Sequence, residues 1–159
     1  MRDHVRVTRI DENGPPIVVD AAARERLSVA LDRDGVVAAM LFGSQATGEA
    51  GPLSDVDVAV WADPRLDRSE RFDLRLALLG EASRVLHTDE VELVVLNDAP
   101  PLLQHRALRD SVRLVDRDPP CRIRLETRAI LDYLDTKPLR ELFGAAALER
   151  LAEGRFGRP

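Results

Sequence analysis

Two aspartates interrupt a short apolar segment of the chain. Residues 55–61 read DVDVAVW, in which Asp55 and Asp57 alternate with valines as in a β-strand. Successive side chains of a strand point to opposite faces, so both carboxylates are expected on one face and close together. Because burying an unpaired carboxylate is costly, a positive partner is expected beside them. A divalent cation such as Mg²⁺, which binds carboxylate and phosphate oxygens, is such a partner.

A Gly-Ser pair precedes the aspartates. Gly43 and Ser44 end the apolar run 36–42, and the ten residues 45–54 separate them from Asp55. Such a pair can present free backbone N–H groups to an anion, or it can be an ordinary turn in which the serine caps a helix. Together with the aspartates it predicts a phosphate beside a metal site. Two ions roughly 4 Å apart can serve the attacking and leaving oxygens of a phosphoryl transfer.

A third carboxylate is expected on a neighbouring strand, where it would hold the metal or accept a proton. The segment 90–97 reads EVELVVLN, and Glu92 shares a face with Glu90 and Val94. We assign the role to Glu92. Glu90 replaces it if the register of the strand is shifted by two residues.

The order of these motifs resembles a known family. Gly43-Ser44, ten residues, Asp55-Val56-Asp57 and then Glu92 are similar to the signature of the DNA polymerase β-like nucleotidyltransferase superfamily. Within it, the short length and the phrases LFGSQATG, SDVDVAV and VELVVLNDAPPLLQHRAL are similar to minimal nucleotidyltransferases called MNT-type antitoxins, the partners of HEPN-domain toxins. The likeness covers roughly residues 25–135.

The resemblance implies the nucleotidyltransferase fold, a small mixed β-sheet flanked by α-helices, and the use of ATP and two Mg²⁺ ions. By position it implies that Gly43 and Ser44 bind nucleotide phosphates and that Asp55 and Asp57 bind both metal ions. Glu92 would complete the site as base or third metal ligand. Family members often carry aspartate in its place.

The resemblance also implies a function. An MNT-type antitoxin would move AMP from ATP to a hydroxyl, that of a tyrosine, on the partner HEPN ribonuclease, release pyrophosphate and form a hetero-oligomer with the toxin. Two alternatives stay open: a small-molecule nucleotidyltransferase of the antibiotic-modifying type, and an antitoxin that neutralises its partner by contact alone. For the last, Arg124, Arg128 and Tyr133 are candidate contact residues.

Helix and strand patterns alternate around the motifs. Helices are predicted from apolar spacing and good helix formers over 21–33, 68–86, 102–110 and 120–135. Strands are predicted over 36–42, 55–61, 90–97 and 112–116. The alternation predicts a single α/β domain with a central sheet.

Spacing also predicts the packed faces of two helices. These faces comprise Phe72, Leu76, Leu79, Ala82 and Leu86 in one helix and Ile123, Ile130 and Leu134 in the other.

Three regions are expected along the chain. Residues 1–19 form a poorly defined leader with a possible strand over 5–10, residues 20–136 form the nucleotidyltransferase domain, and residues 137–159 form a partly flexible extension after an interruption at Pro138.

Composition excludes several classes of protein. The net charge is −5, and 22 of the 23 basic residues are arginine, mixed with 28 acidic residues, so bulk nucleic-acid binding is not expected. No apolar run approaches the roughly 20 residues of a membrane span, and no signal peptide is recognisable. Cys121 is the sole cysteine, which favours a cytoplasmic protein. The Walker and dinucleotide-binding glycine motifs are missing, and the three histidines lack metal-ligand spacing.

Overall fold

A computed structural model describes residues 18–48 and 55–152, with side chains as far as residue 145. The elements in chain order are α1 (Ala21–Leu31), β1 (Val36–Phe42), α2 (Ser44–Thr47), β2 (Val56–Ala62), α3 (Arg68–Leu86), β3 (Val91–Val95), a 3₁₀ turn (Leu96–Asp98), α4 (Pro101–Arg109), β4 (Val112–Asp116), α5 (Pro119–Asp135) and α6 (Lys137–Ala152). The predicted alternation of helices and strands is confirmed.

The four strands form one mixed sheet in the order β3-β2-β1-β4. β1 pairs antiparallel with both β2 and β4, whereas β2 and β3 run parallel. The predicted mixed sheet is therefore confirmed, and β3 and β4 are its edge strands.

Helices cover both faces of the sheet. On one face α1 and α3 pack on Val56, Val58 and Val60, and on the other α4 and α5 pack on Ala59 and Trp61. The alternation predicted for β2 is confirmed, because its valines all point to the first face.

Polar caps fix where three helices begin. The carboxylate of Asp20 accepts a hydrogen bond from the Ala23 amide at 2.7 Å, which confirms the predicted start of α1. Asp67 caps α3 and exchanges hydrogen bonds with Glu70, and Asp118 caps α5. Each cap satisfies an amide that has no acceptor within its own helix.

The predicted face of α3 is partly wrong. Leu79, Ala82 and Leu86 do pack in the core, but Phe72 and Leu76 are 55% and 48% exposed. The first half of α3 lies beside the free edge of β3, where the sheet no longer covers its apolar side chains.

The predicted face of α5 is wrong. All three predicted residues are exposed, namely Ile123, Ile130 and Leu134. The helix instead buries Cys121, Arg122 and Ala129. Arg122 is 8% exposed because its guanidinium donates to Asp116 of β4 at 2.9 Å and to Glu126 at 2.8 Å. The buried side of α5 is therefore the narrow stripe of Cys121, Leu125 and Ala129, beside the ion pairs of Arg122.

Both ends of the chain are only partly described. Residues 1–17, with the possible strand over 5–10, lie outside the described residues, and Val19 is buried against the core. The predicted interruption near Pro138 separates α5 from α6, and the proline occupies the first turn of α6, where its missing N–H costs no helical hydrogen bond. The extension predicted over 137–159 is helical as far as Ala152. In the described part of the chain, no helix is long and apolar enough to cross a membrane.

Two leucines of α3 test the corrected face of this helix. Leu78→Ala empties a fully buried position and should lower the free energy of unfolding by about 2–5 kcal/mol. Leu76→Ala, two residues earlier on the exposed side, should cost less than about 1 kcal/mol. Urea unfolding of the two variants measures both values. A loss at Leu76 as large as the loss at Leu78 would contradict the corrected face of the helix.

Candidate active site

The predicted carboxylates lie on one face of the sheet, where β2 pairs with its two neighbours. Asp57 lies opposite Phe42 of β1 and opposite Glu92 of β3. Side chains directly opposite each other on a sheet are neighbours, so Asp57 and Glu92 share a face and lie side by side. We call this pair the carboxylate row. The valine-rich face of β3 is buried, as expected, and Glu92 points away from it.

The alternative residue Glu90 lies outside β3. Its carbonyl accepts a hydrogen bond from the Val56 amide at 2.9 Å, so the same parallel register continues one step before the strand. Glu90 is therefore two residues from the row that holds Asp57, a distance of roughly 6.6 Å along the strand. The register favours Glu92 as the carboxylate beside Asp57.

Asp57 is partly buried among like charges. Burial raises the pKa of its carboxyl, the negative charges of Glu92 and Asp55 raise this pKa further, and the positive charge of Arg106 lowers it. All three predicted carboxylates are thus close enough to interact electrostatically. Their mutual repulsion is what a bound cation would relieve.

Gly43 makes room for Asp57. A Cβ added at Gly43 would lie 2.4 Å from Oδ2 of Asp57, nearer than any real Cβ contact, and its φ of 69° is unfavourable for other residues. Glycine is therefore required here by the neighbouring side chain as well as by the backbone conformation. The bare backbone at the end of β1 lies directly against the carboxylate.

Ser44 is the first residue of the short helix α2, but the expectation that the serine caps this helix is wrong, because the N-cap is Gly43 and no side chain caps the helix. The next residue, Gln45, is buried and accepts a hydrogen bond from the Val19 amide at 3.2 Å through its side-chain oxygen. This contact ties α2 to the segment before α1. Gly43 and Ser44 are thereby held beside Asp57 at the end of β1.

Asp55 is exposed and immediately precedes β2. The six residues before it, 49–54, lie outside the described part of the chain. They contain most of the predicted linker between the Gly-Ser pair and the aspartates.

The donor chemistry of the site fits Mg²⁺, since it consists of carboxylates beside a glycine that leaves their oxygens uncovered. Among residues 18–48 and 55–152, however, no three His, Cys, Asp or Glu side chains are gathered closely enough to form a ready-made metal site. Asp55, Asp57 and Glu92 therefore interact through their charges without forming a closed cage. Mg²⁺ suits such an open site because it keeps waters and shares substrate phosphate oxygens.

Arg106 of α4 is a site residue that sequence reasoning missed. It supplies a positive charge that acts on Asp57 from α4, which packs on the face of the sheet that carries Asp57. It lies within the segment VELVVLNDAPPLLQHRAL that resembles MNT-type antitoxins, but the sequence alone does not indicate that α4 brings this arginine near Asp57.

Tyr133, predicted as a possible contact residue, is already engaged within the chain. Its ring stacks on His105 with a centroid separation of 3.8 Å, and the Arg140 guanidinium lies 3.9 Å from its centroid. These contacts join α4, α5 and α6.

Filling the space at Gly43 should disturb the site. Gly43→Ala places a methyl group against Asp57 and puts an alanine in a strained backbone conformation. It should therefore lower the free energy of unfolding by about 1–3 kcal/mol. The matched control is Gly80→Ala in the middle of α3, where nothing lies within 4 Å of the new methyl group and a gain of about 0.5–1 kcal/mol is expected. Urea unfolding compares the variants. A stable Gly43→Ala protein would contradict the close approach.

The raised pKa of Asp57 predicts how stability depends on pH. Above 3.8, the ordinary value, the folded state binds protons more tightly at Asp57 than the unfolded chain does, so ionisation of this group destabilises the fold as the pH rises. Asp57→Asn should therefore raise the melting temperature at pH 7, and the gain should shrink as the pH falls towards 3.8. Thermal unfolding at several pH values measures it. A loss of stability at pH 7 would indicate that Asp57 is stabilised by a partner.

Comparison with known proteins supports the same fold. A chain from a crystal structure of a toxin–antitoxin pair with AMP-PNP matches with a TM-score of 0.61 at 23% identity, over 78% of this chain and 98% of that one. A chain from the toxin–antitoxin MntA-HepT matches with a TM-score of 0.59 at 21% identity, over 81% and 99% of the two chains. A third comes from the tri-AMPylated Shewanella oneidensis HEPN toxin in complex with MNT antitoxin, with a TM-score of 0.58 and 21% identity over 80% and 98%.

No curated protein matches the sequence significantly. The protein-family model described as "Polymerase beta, Nucleotidyltransferase" matches residues 25–120, which span well over half of the chain and include the Gly-Ser pair and all three carboxylates. The chain therefore belongs to the polymerase beta nucleotidyltransferase family.

Proposed function

We propose that the chain is an MNT-type antitoxin that transfers AMP from ATP to a tyrosine hydroxyl of a HEPN ribonuclease. The observation that carries the proposal is the row in which Asp57 lies beside Glu92, with the bare backbone of Gly43 against the Asp57 carboxylate. The row supplies acidic groups for a metal-bound triphosphate and for an attacking hydroxyl. The proposed substrate and partner place the protein in the cytoplasm.

In the proposed reaction, the acceptor oxygen attacks the α-phosphorus of ATP. The bond from this phosphorus to the oxygen bridging the α and β phosphates breaks, and pyrophosphate leaves with the bonding electron pair. The hydroxyl proton passes to the carboxylate of Glu92, which is positioned by β3 beside Asp57. The products are an AMP–tyrosine phosphodiester and pyrophosphate.

Asp55 and Asp57 would hold Mg²⁺ in this site, with Glu92 as a possible third ligand. Bound Mg²⁺ supplies positive charge to the triphosphate and to the negative charge that develops during transfer. Gly43 and Ser44 would bind the phosphates through the backbone at the end of β1. Arg106, on the helix facing the row, adds a fixed positive charge.

The proposed partner and nucleotide rest on the likeness to toxin–antitoxin structures. One of these contains AMP-PNP, and another contains a tri-AMPylated HEPN toxin with an MNT antitoxin. The chain would act on its partner in the same way and remain bound to it as a hetero-oligomer.

Substitutions of Glu92 and Glu90 test which of the two glutamates is the base. Glu92→Gln should lower the rate of AMP transfer to the HEPN partner by about 10²–10⁴-fold, because the acceptor proton loses its base. Glu90→Gln, two residues earlier and outside the row, is the matched control and should retain near-parental activity. Transfer is followed with labelled ATP and Mg²⁺. Loss of transfer in Glu90→Gln but not in Glu92→Gln would assign the role of third carboxylate to Glu90. Label that appears only on nucleotides or other small molecules, and not on protein, would contradict the proposal that the acceptor is a protein.

A contact-only antitoxin is the second candidate, and an exposed apolar surface favours it. Ile130 and Leu134 of α5 and Leu142 and Phe143 of α6 are between 45% and 65% exposed. Exposed apolar residues of this kind on neighbouring helices suit a protein partner.

Asp57→Asn distinguishes the two candidates. If transfer of AMP neutralises the toxin, this variant should bind the HEPN partner but leave its ribonuclease activity intact. Asp73→Asn, an exposed aspartate of α3, is the control and should neutralise the toxin as the parent does. Full neutralisation by Asp57→Asn would establish the contact-only antitoxin. Ribonuclease activity and complex formation are measured in parallel.

A further inference from the structure

No other strand of the described residues pairs with the outer edge of β3, and a groove runs along this edge. It is a cavity of about 630 Å³ between the first half of α3 and the start of α4, and we call it the edge groove. Phe72 of α3, Leu103 of α4 and Phe42 of β1 contribute apolar walls. Glu92 also lines it, so the groove is continuous with the carboxylate row.

The backbone of β3 presents to this groove carbonyl groups that form no hydrogen bond with β2. The Glu90 carbonyl points to β2, where it accepts from Val56, and carbonyls alternate sides along a strand. Those of Val91, Leu93 and Val95 therefore point to the free edge. Leu93 confirms this, because its carbonyl accepts a hydrogen bond from Nε of Arg75 at 2.8 Å.

The charge of the edge groove is mainly positive. Three arginines of α3 line it, and one of them, Arg71, is neutralised by Asp98 through hydrogen bonds of 2.8 and 2.9 Å. Arg68 and Arg75 form no ion pair with any residue in the described ranges. Two guanidinium groups without an ion-pair partner in these ranges thus stand beside the outer edge of β3, although the positive charge of Arg68 also acts on Asp98.

These features fit a polypeptide in extended conformation. A strand that adds to a sheet edge gains backbone hydrogen bonds, and side-chain pockets select its sequence. A carboxylate on the incoming segment would pair with Arg75 and free the Leu93 carbonyl for a backbone N–H of that segment. The aromatic and leucine walls would take an apolar side chain.

We propose that the edge groove binds the acceptor protein through an acidic, extended segment that pairs with β3 and presents its hydroxyl at Glu92. The inference rests on the proposed function for the identity of the reaction. Gly43 and Ser44 lie two strands away, roughly 10 Å across the sheet. Nucleotide phosphates and acceptor would thus approach Asp57 and Glu92 from opposite sides.

Peptide binding tests the groove without requiring catalysis. The probes are two fluorescent peptides about nine residues long, with a central tyrosine flanked either by glutamates or by lysines. The parent should bind the glutamate peptide, and Arg68→Glu should weaken this binding roughly tenfold. The variant should fold, because an acidic residue is favourable in the first turn of α3. Arg33→Glu, an exposed arginine before β1, is the control and should bind normally.

Hydrogen exchange and ATP binding give the remaining readouts. The bound glutamate peptide should slow exchange of the Leu93 and Val95 amides, and Arg68→Glu should bind Mg²⁺·ATP as the parent does. The proposal is overturned if neither peptide binds, if the lysine peptide binds equally well, if the β3 amides are unaffected, or if Arg68→Glu loses ATP binding instead. Peptide binding without AMP transfer to any protein would refute the proposed function while leaving the groove established.

Discussion

The pairing of β2 with β1 and β3 places Asp57 between Phe42 and Glu92, and the site depends on this register. Burial and then the negative charges of Glu92 and Asp55 raise the pKa of Asp57, so the free protein carries repulsion at this point of its sheet. Packing on both faces of the sheet holds the strands in register despite it. The fold thus keeps an electrostatic cost that a bound cation would offset.

Each element around the carboxylate row has a separate role in the proposed function. The end of β1 supplies Gly43, whose lack of a side chain leaves the Asp57 carboxylate accessible, and the Gln45–Val19 hydrogen bond fixes the helix that follows. α4 supplies the positive charge of Arg106, and β3 carries Glu92 at the edge of the sheet. In the proposed function, a nucleotide and a protein acceptor would therefore be bound by separate parts of one small domain.

The sequence predicts the strands and the shared face of Asp57 and Glu92 well, because side-chain alternation follows from backbone geometry alone. It predicts the faces of α3 and α5 poorly. Apolar spacing cannot reveal that the sheet ends beside Phe72, or that α5 buries its Cys121 and Ala129 side together with Arg122. Arg106 was missed for a related reason, since its place near Asp57 arises from how α4 docks across the sheet.

The central claim is that magnesium-bound ATP relieves the repulsion at the carboxylate row. Thermal unfolding at pH 7 with ATP, with and without Mg²⁺, tests it most directly, because a ligand that binds only the folded state raises the melting temperature. The account predicts a clear rise with Mg²⁺ and ATP together, little with ATP in chelator, and a much smaller rise in Asp57→Asn. Equal shifts with and without Mg²⁺, or an undiminished shift in the variant, would contradict it.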